Sequence, residues 1–479
     1  MIWCSGRIMF RSSLPVARSY LGAVRSRCYA RHSGISEVVP DYTALIYNQE
    51  AGVTRETGRV TLATLTSAYN TASVTLRVNT GSRFETEENN GASHFLQHLA
   101  FNSKAKNAPT IGEAFEKLGA SVSVSNSREQ IAYTVSVDGR DINAAISILG
   151  EMVNSLSDLT QEQVEQVRPR ALEHQKAAVA CKYKRSMDHL HSIIYQKDTL
   201  GLAKEGKAEN LRKLDAATLS QFASENFTNE RMVLAVAGNF DGKDLQETVS
   251  EAFPLDRNPK PAPNPTAQYY GSVVTDRDDT TDDVLVTVGY EGLSQTANNY
   301  YPLAIVKELV GDYCKYSGAG NNHSGRLAEY LATEKLCDSF TTFNQCYSDV
   351  GVFGITMASQ GKYLDDLVGG VVAEFVRLAH NARPGEVVRA KDKLINKVLA
   401  RHNGPDALSN DIALYTMLGV VPPNLSDVIN NIDSVSVDHV RAVCSEHFMD
   451  VEPAVVGIGS TRNVPDYNQV RGWTHWWRV

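Results

Sequence analysis

His94 and His98 stand four residues apart in the stretch Gly91 to Asn102, G-A-S-H-F-L-Q-H-L-A-F-N. Phe95, Leu99 and Phe101 favour a buried amphipathic helix there. On a helix this spacing sets both imidazoles on one face, one turn apart, where a single metal ion can take both. Two such nitrogens hold zinc, but hydrolysis at the metal also needs a carboxylate to take the proton of the bound water. The residue beside the second histidine is Gln97. A carboxamide takes up no proton near neutral pH, so the histidine geometry stands while the general base is missing.

The elements that must position these side chains follow from hydrophobic periodicity. Val74 to Val78 alternates as a strand ahead of the histidine helix. Residues 111–118 are predicted helical, and Ser121 to Ser125 and Ile131 to Val137 are two strands joined by a polar turn. Helices follow over 142–156 and 161–180, then a buried strand from Val233 to Ala237. Further along, Val284 to Val288, Phe340 to Phe343 and Val352 to Met357 are predicted strands, with helices over 363–380, 385–402 and 435–448. Strands joined directly, with helices grouped between them, indicate an α+β fold.

The pattern occurs twice. Ser224-Glu225-Asn226-Phe227 precedes Val233 to Gly238, and Ser445-Glu446-His447-Phe448 precedes Ala454 to Gly459. Glu225, Phe227 and Gly238 match Glu446, Phe448 and Gly459 at one offset of 221 residues. Glu116-Lys117-Leu118 is echoed by Glu334-Lys335-Leu336. So long a period means a duplicated domain. Between the copies five of the 16 prolines crowd into residues 254–265, the composition of a stiff, extended linker. The expected organisation is two homologous domains, residues 30–254 and 269–479, each a mostly antiparallel sheet packed with helices, joined by a Pro-rich linker over 255–268.

Residues 1–29 carry Arg7, Arg11, Arg18, Arg25 and Arg27 and no acidic residue, the composition of a mitochondrial transit peptide. Arg27-Cys28-Tyr29-Ala30 resembles a matrix-peptidase site, so cleavage is expected between Tyr29 and Ala30. Of the 47 basic residues 42 then remain against 55 acidic ones, a formal charge of −13. Such a balance disfavours broad contact with nucleic acid or an anionic membrane. No apolar run approaches the ~18 residues of a membrane span. Cys181, Cys314, Cys337, Cys346 and Cys444 are scattered, which indicates free thiols in a reducing compartment. There is no haem-binding C-x-x-C-H and no iron–sulfur cysteine set.

The histidine motif, the strand pair after it, the Pro-rich linker and the duplicated half together resemble the pitrilysin-type metallopeptidases from about residue 38 to the end. The resemblance falls in the branch holding mitochondrial processing peptidase β subunits and core subunits of ubiquinol–cytochrome c reductase (respiratory complex III). Lys335-Leu336-Cys337, Ser339-Phe340, Thr342-Phe343-Asn344, Cys346-Tyr347 and Pro465-Asp466-Tyr467-Asn468, with Trp477 and Arg478, are more similar to the core-subunit side. This resemblance implies that His94 and His98 match two histidine ligands and that Gln97 replaces the catalytic glutamate. The family's glutamate ligand falls on His174, and a further acidic position falls on Val167, next to a matching Arg168. Glu173 adjoins the ligand position, but an adjacent helical residue points roughly 100° away.

Three readings of the cluster stay open: a relict pocket of satisfied polar groups, a non-hydrolytic zinc site of three imidazoles, or an active peptidase, which the missing base opposes. The expectation adopted is no catalytic residue, no metal and no cofactor, with His94, His98 and His174 as vestigial positions. The implied function is a structural subunit required for assembly and stability of complex III, on the matrix side of the mitochondrial inner membrane. The implied partners are core protein 2, cytochrome b, cytochrome c1 and the iron–sulfur subunit. The alternative is a processing-peptidase β-type subunit that cleaves presequences, including a bifunctional version within complex III.

Weaker features complete the sequence. Ser317 to Gly325 is a glycine-rich loop without the strand–G-K-[S/T]–helix frame of a phosphate site. Asp276 to Asp283 is expected as a solvated turn, and Ser125 to Glu129 as a substrate-facing turn or a polar hairpin tip. Trp473, Trp476 and Trp477 cluster at the carboxyl end, expected either to anchor an interface or to pack back as a final strand.

Overall fold

A computed structural model describes residues 51–475 except 68, 70, 107, 241–243, 255–264, 318–322, 324 and 403. The transit-peptide cleavage site, most of the linker, most of the glycine-rich loop, Trp476 and Trp477 lie outside these residues.

The first half runs β1 (Gly52–Thr54), β2 (Thr61–Thr66), β3 (Thr71–Val78), α1 (Ala92–Asn102), α2 (Ile111–Lys117), β4 (Ser121–Asn126) and β5 (Ile131–Asp138). It continues with α3 (Ile142–Leu156), α4 (Gln161–Ala180), α5 (Lys182–Ile194), α6 (Ala208–Lys213), α7 (Ala216–Asn226), β6 (Met232–Gly238) and α8 (Leu245–Ala252). The second half runs β7 (Val273–Arg277), β8 (Asp283–Gly292), α9 (Tyr300–Val310), β9 (Asp312–Cys314), α10 (Arg326–Thr333), β10 (Ser339–Cys346) and β11 (Gly351–Gln360). Then come α11 (Leu364–Asn381), α12 (Pro384–Arg401), α13 (Pro405–Met417), α14 (Leu425–Ser434), α15 (Val437–Phe448), β12 (Ala454–Gly459) and α16 (Tyr467–Trp473).

Each half builds a six-stranded sheet, in the orders β1-β2-β6-β3-β5-β4 and β7-β12-β8-β11-β10-β9. Both are antiparallel except at one corresponding pair, β2 with β6 and β7 with β12. The expected duplication and α+β class hold. From α4 to α5 and from α12 to α13 the two halves keep a constant offset of 223 residues, Gln161 to Pro384 and Lys182 to Pro405.

The halves are interlocked. Helix α5 of the first half packs on β8 and β12 of the second sheet, and α13 of the second half packs on β3 and β6 of the first. This explains why β6 is buried on both faces. Successive strand residues point to opposite sides. Met232, Leu234 and Val236 enter the first half's own core, while Val233, Ala235 and Ala237 meet Ile412 and Ala413 of α13. In mirror fashion Ala454, Val456 and Ile458 of β12 meet Met187, Leu190 and Ile194 of α5.

Each exchanged helix also brings a buried hydroxyl. Ser409 Oγ lies 2.8 Å from Thr75 Oγ1, which lies 3.1 Å from Thr134 Oγ1. Ser186 Oγ lies 2.7 Å from Thr287 Oγ1, itself 3.0 Å from Thr356 Oγ1. These chains pair buried hydroxyls, and Ser409 also donates to the Asp406 carbonyl while Thr134 accepts from the Asn410 amide.

Three expectations are corrected by packing. The segment is the polar tip of the β4–β5 hairpin, with Ser125 and Ser127 exposed, but its Arg128 and Glu129 are buried and not solvated. Arg128 pairs with Asp188 of α5, and Arg83 links Glu129 to Asp349 of the second half. The acidic run is a turn only over 278–282: Asp276 and Arg277 end β7, Asp283 opens β8, and Asp276 lies 3.4 Å from Arg185 of α5. The segment leading into the carboxyl end is helical, and Trp473 of α16 packs half-buried against the second core over Gly369.

Candidate metal centre

Helix α1 begins at Gly91, whose φ of 107° lies in the region that favours glycine. Gly206 closes against it, since a Cβ there would stand 2.4 Å from the Gly91 Cα. The buried Glu85 carboxylate caps this helix. It accepts from the Gly91 and Ser93 backbone N–H groups at 2.8 and 2.7 Å, the Ser93 hydroxyl at 2.6 Å and the Asn90 amide at 2.9 Å. A carboxylate at a helix N-terminus suits the free N–H groups and the dipole. Burial nevertheless raises its pKa, a trend its hydrogen bonds oppose. Glu85 was not picked out from the sequence. The signal was there, an acidic residue a few positions before a helix start without a Ser, Thr, Asp or Asn cap.

The third imidazole comes from α4, which starts at a capping box of Thr160 and Gln163. Arg168 braces α4 by donating to the Leu211 and Leu214 carbonyls and pairing with Glu165. Its guanidinium lies 5.7 Å from the Phe95 ring centroid, tying α4 to α1. Val167 is buried in the first core, an apolar packing residue at the position where the family resemblance implies an acid. Glu173 is exposed while His174 beside it is half-buried, as helical geometry requires.

His94, His98 and His174 converge. His94 Nε2 lies 2.9 Å from His174 Nδ1 and 3.2 Å from His98 Nε2, and all three nitrogens fall within 4.8 Å of one another. His94 is buried; His98, His174 and Gln97 are half-buried. Burial, helped by the neighbouring imidazoles, depresses the pKa of His94 to about 3 and of His98 to about 4. Lys204 and Arg170 act in the same direction on His94 and His98 respectively. These two rings are therefore neutral at pH 7, the form in which imidazole offers a lone pair to a metal.

A zinc ion bound to nitrogens at ~2.0–2.1 Å in tetrahedral geometry sets them about 3.3 Å apart. The two closest separations here are near that value, so the donor set fits a three-imidazole grip. It does not fit the hydrolytic arrangement. Among the described residues the converging group holds no carboxylate, and Gln97 supplies only a carboxamide. The nearest buried acid on α1's approach, Glu85, is committed to four hydrogen bonds.

Comparison with known proteins follows the same lines. A profile of the insulinase family of peptidases, family M16, matches residues 61–207, and a profile described as the M16 peptidase inactive domain matches residues 213–394. The mitochondrial-processing peptidase subunit beta of Dictyostelium discoideum is 31% identical, over 95% of this chain and 97% of its own. Cytochrome b-c1 complex subunit 1 of Bos taurus is 31% identical, over 96% of this chain and 97% of its own. A chain of complex III2 from Candida albicans superposes with a TM-score of 0.80 at 24% identity, covering 88% of this chain and 99% of that one. A Helicobacter pylori protease does so with a TM-score of 0.76 at 16% identity, covering 86% and 99%. These two structural likenesses speak to fold. The relatives by sequence fall on both sides of the branch inferred above, peptidase β subunit and complex III subunit 1.

Proposed function

This chain belongs to the insulinase family of peptidases, M16, and from that membership we propose that it is a non-hydrolytic core subunit of mitochondrial respiratory complex III. The carrying observation is the make-up of the converging group: three imidazoles, with Gln97 where a proton acceptor is needed. General acid–base transfer by a positioned side chain is worth about 10²–10⁴-fold in rate. The relatives named as cytochrome b-c1 complex subunit 1 support the architectural role. On this reading the chain sits on the matrix side of the inner membrane, pairs with core protein 2, and supports cytochrome b, cytochrome c1 and the iron–sulfur subunit. No helix among the described residues is long and apolar enough to cross a membrane, so membrane association runs through those partners.

The competing reading, a processing-peptidase β-type subunit, draws on the similarity to the Dictyostelium protein; the missing base opposes it. The test is to extract the native assembly in mild detergent, identify what co-purifies, and assay presequence cleavage with added zinc. The chain is expected with the cytochrome subunits and without cleavage above background. Cleavage that disappears on His94→Ala would overturn the proposal. Gln97→Glu alone is expected not to restore turnover, because His174 and Val167 still depart from the implied acidic pattern.

A further inference from the structure

The helices of the second half leave a cavity of about 120 Å³ between the end of α9, the start of α10, α11 and the first turns of α12. That is roughly the liquid volume of four water molecules, enough for an ion of five heavy atoms. In the first half the corresponding corner is closed. There the Thr110 hydroxyl caps α2, and the fully buried Ile111 donates its N–H to the Ser103 carbonyl at 2.9 Å. Helix α10 opens instead on Gly325, which has no side chain to fill the space, and its first residue is Arg326.

Charged groups crowd this cavity, and their partners decide what it can take. Four carboxylates reach its wall, and each is already engaged. Glu308 pairs with Lys393 at 2.9 Å and Lys397 at 2.6 Å. Glu374 holds Arg377 through both oxygens, at 2.7 and 2.8 Å, and Glu386 lies 3.3 Å from the same guanidinium. Asp312 accepts the Thr342 N–H at 3.0 Å. The donors are not used up in this way. Arg326 and Arg389 are exposed and have no carboxylate partner among the described residues, and the Lys393 ammonium has two further N–H groups. His323 Nε2 is buried at the same wall, also without a partner among those residues. From the cavity an open groove continues along α12, where Arg389, Lys393 and Lys397 stand one turn apart with Asp392 and Asn396 beside them.

A cavity whose acids are committed and whose spare groups are donors matches an oxyanion. A guanidinium presents a planar fork that meets two oxygens of a phosphate group at once, and an ammonium adds a compact charge. An imidazole protonated at Nε2 supplies one more N–H. The four carboxylates keep the local charge near balance, which favours a small ligand over a polyanion. We propose that this cavity binds one phosphate group, free or carried on a small monoester, through Arg326, Arg389, Lys393 and His323. The groove along α12 receives the organic body when there is one. This assignment goes beyond the core-subunit reading and does not depend on it.

The experiment follows radiolabelled inorganic phosphate in equilibrium dialysis against the full chain at constant ionic strength, with chloride as the competing control. The expected result is one saturable phosphate per chain that chloride at equal concentration does not displace. Arg326→Gln and Arg389→Gln are each expected to weaken binding about tenfold or more, the loss of one charge-assisted contact. Lys213→Gln, an exposed cation change in the first half, is expected to leave binding as it is. Circular dichroism checks that each variant is folded, and neither arginine has an ion pair in the fold to lose. Competition by glycerol 3-phosphate separates the two sources of the group. Displacement at least as tight as by phosphate assigns the groove to an organic body, weaker displacement assigns the cavity to the free ion, and both uphold the proposal. No saturable uptake by the folded chain, displacement by chloride at equal concentration, or uptake unchanged in the double variant would overturn it.

Discussion

Replacing Arg83 by methionine should destabilise the whole interlocked unit, and the loss should shrink in acid. Arg83 is almost fully buried and donates to Glu129, to Asp349 at 2.5 and 2.8 Å, to Ser348 at 3.2 Å and to the Pro265 carbonyl. Methionine keeps the apolar stem and removes the charge. Glu129, buried and among the described residues otherwise hydrogen-bonded to Ser348 alone, is then left as an uncompensated anion. Removing one partner of a buried pair costs about 3–5 kcal/mol. The compact unit spans Glu50–Val479, and with unfolding entropies near 2 cal/mol/K per residue that loss lowers Tm by roughly 3–6 °C.

The pH dependence has a definite sign. Burial already raises the Glu129 pKa with Arg83 beside it, and loss of the cation raises it further. A carboxyl whose folded pKa exceeds its unfolded one costs stability at high pH, and that cost fades as pH falls through the folded value. The gap between wild type and Arg83→Met should therefore be larger at pH 7.5 than at pH 5.5 in urea unfolding followed by circular dichroism. Adding Glu129→Gln to Arg83→Met should recover part of the loss. A destabilisation below about 1 kcal/mol, or a gap that widens in acid, would refute the argument.

Two further predictions concern the exchanged helices. His402 Nε2 lies 3.1 Å from Asp411, a contact that raises the histidine's pKa, with Arg401 opposing. The stabilisation this gives is fully present below the unfolded histidine pKa and is lost as pH rises through the folded one. The Tm difference between wild type and Asp411→Asn should therefore be larger at pH 6 than at pH 8.5, and an equal difference at both would sink the idea. Residues 50–254 and 265–475 expressed apart should each lack a cooperative urea transition, because each sheet loses the exchanged helix that covers it. Co-expression should restore the transition, and an isolated half that unfolds cooperatively would show that the exchange is dispensable.

Much of this protein is determined locally and could be read from its residues. Helices α3 and α4 lie where the periodicity places them, Ile142–Leu156 and Gln161–Ala180, because an apolar stripe and a Thr160 cap act within a few residues. The duplication is equally plain, since Glu225 and Phe227 recur as Glu446 and Phe448 in α7 and α15 or at their ends. The i, i+4 spacing alone put His94 and His98 on one face of α1.

Tertiary structure decided the rest. Helix α5 carries an apolar stripe, Met187, Leu190 and Ile194, that the sequence reading passed over, whereas α13 has no clear stripe of its own. Ser409 and Ile412 of α13 face β3 and β6, so no self-contained amphipathic stripe marks that helix. Arg128 and Glu129 read as a polar tip until Asp188, Ser348 and Asp349 arrive from elsewhere in the chain. The convergence of His174 on α1 was indicated by family resemblance and by no local signal, and its 2.9 Å approach to His94 is set by how α4 crosses α1. Local propensity governs dihedrals over a few residues. Which distant side chains meet depends on how whole faces bury one another, and no window of neighbouring residues carries that.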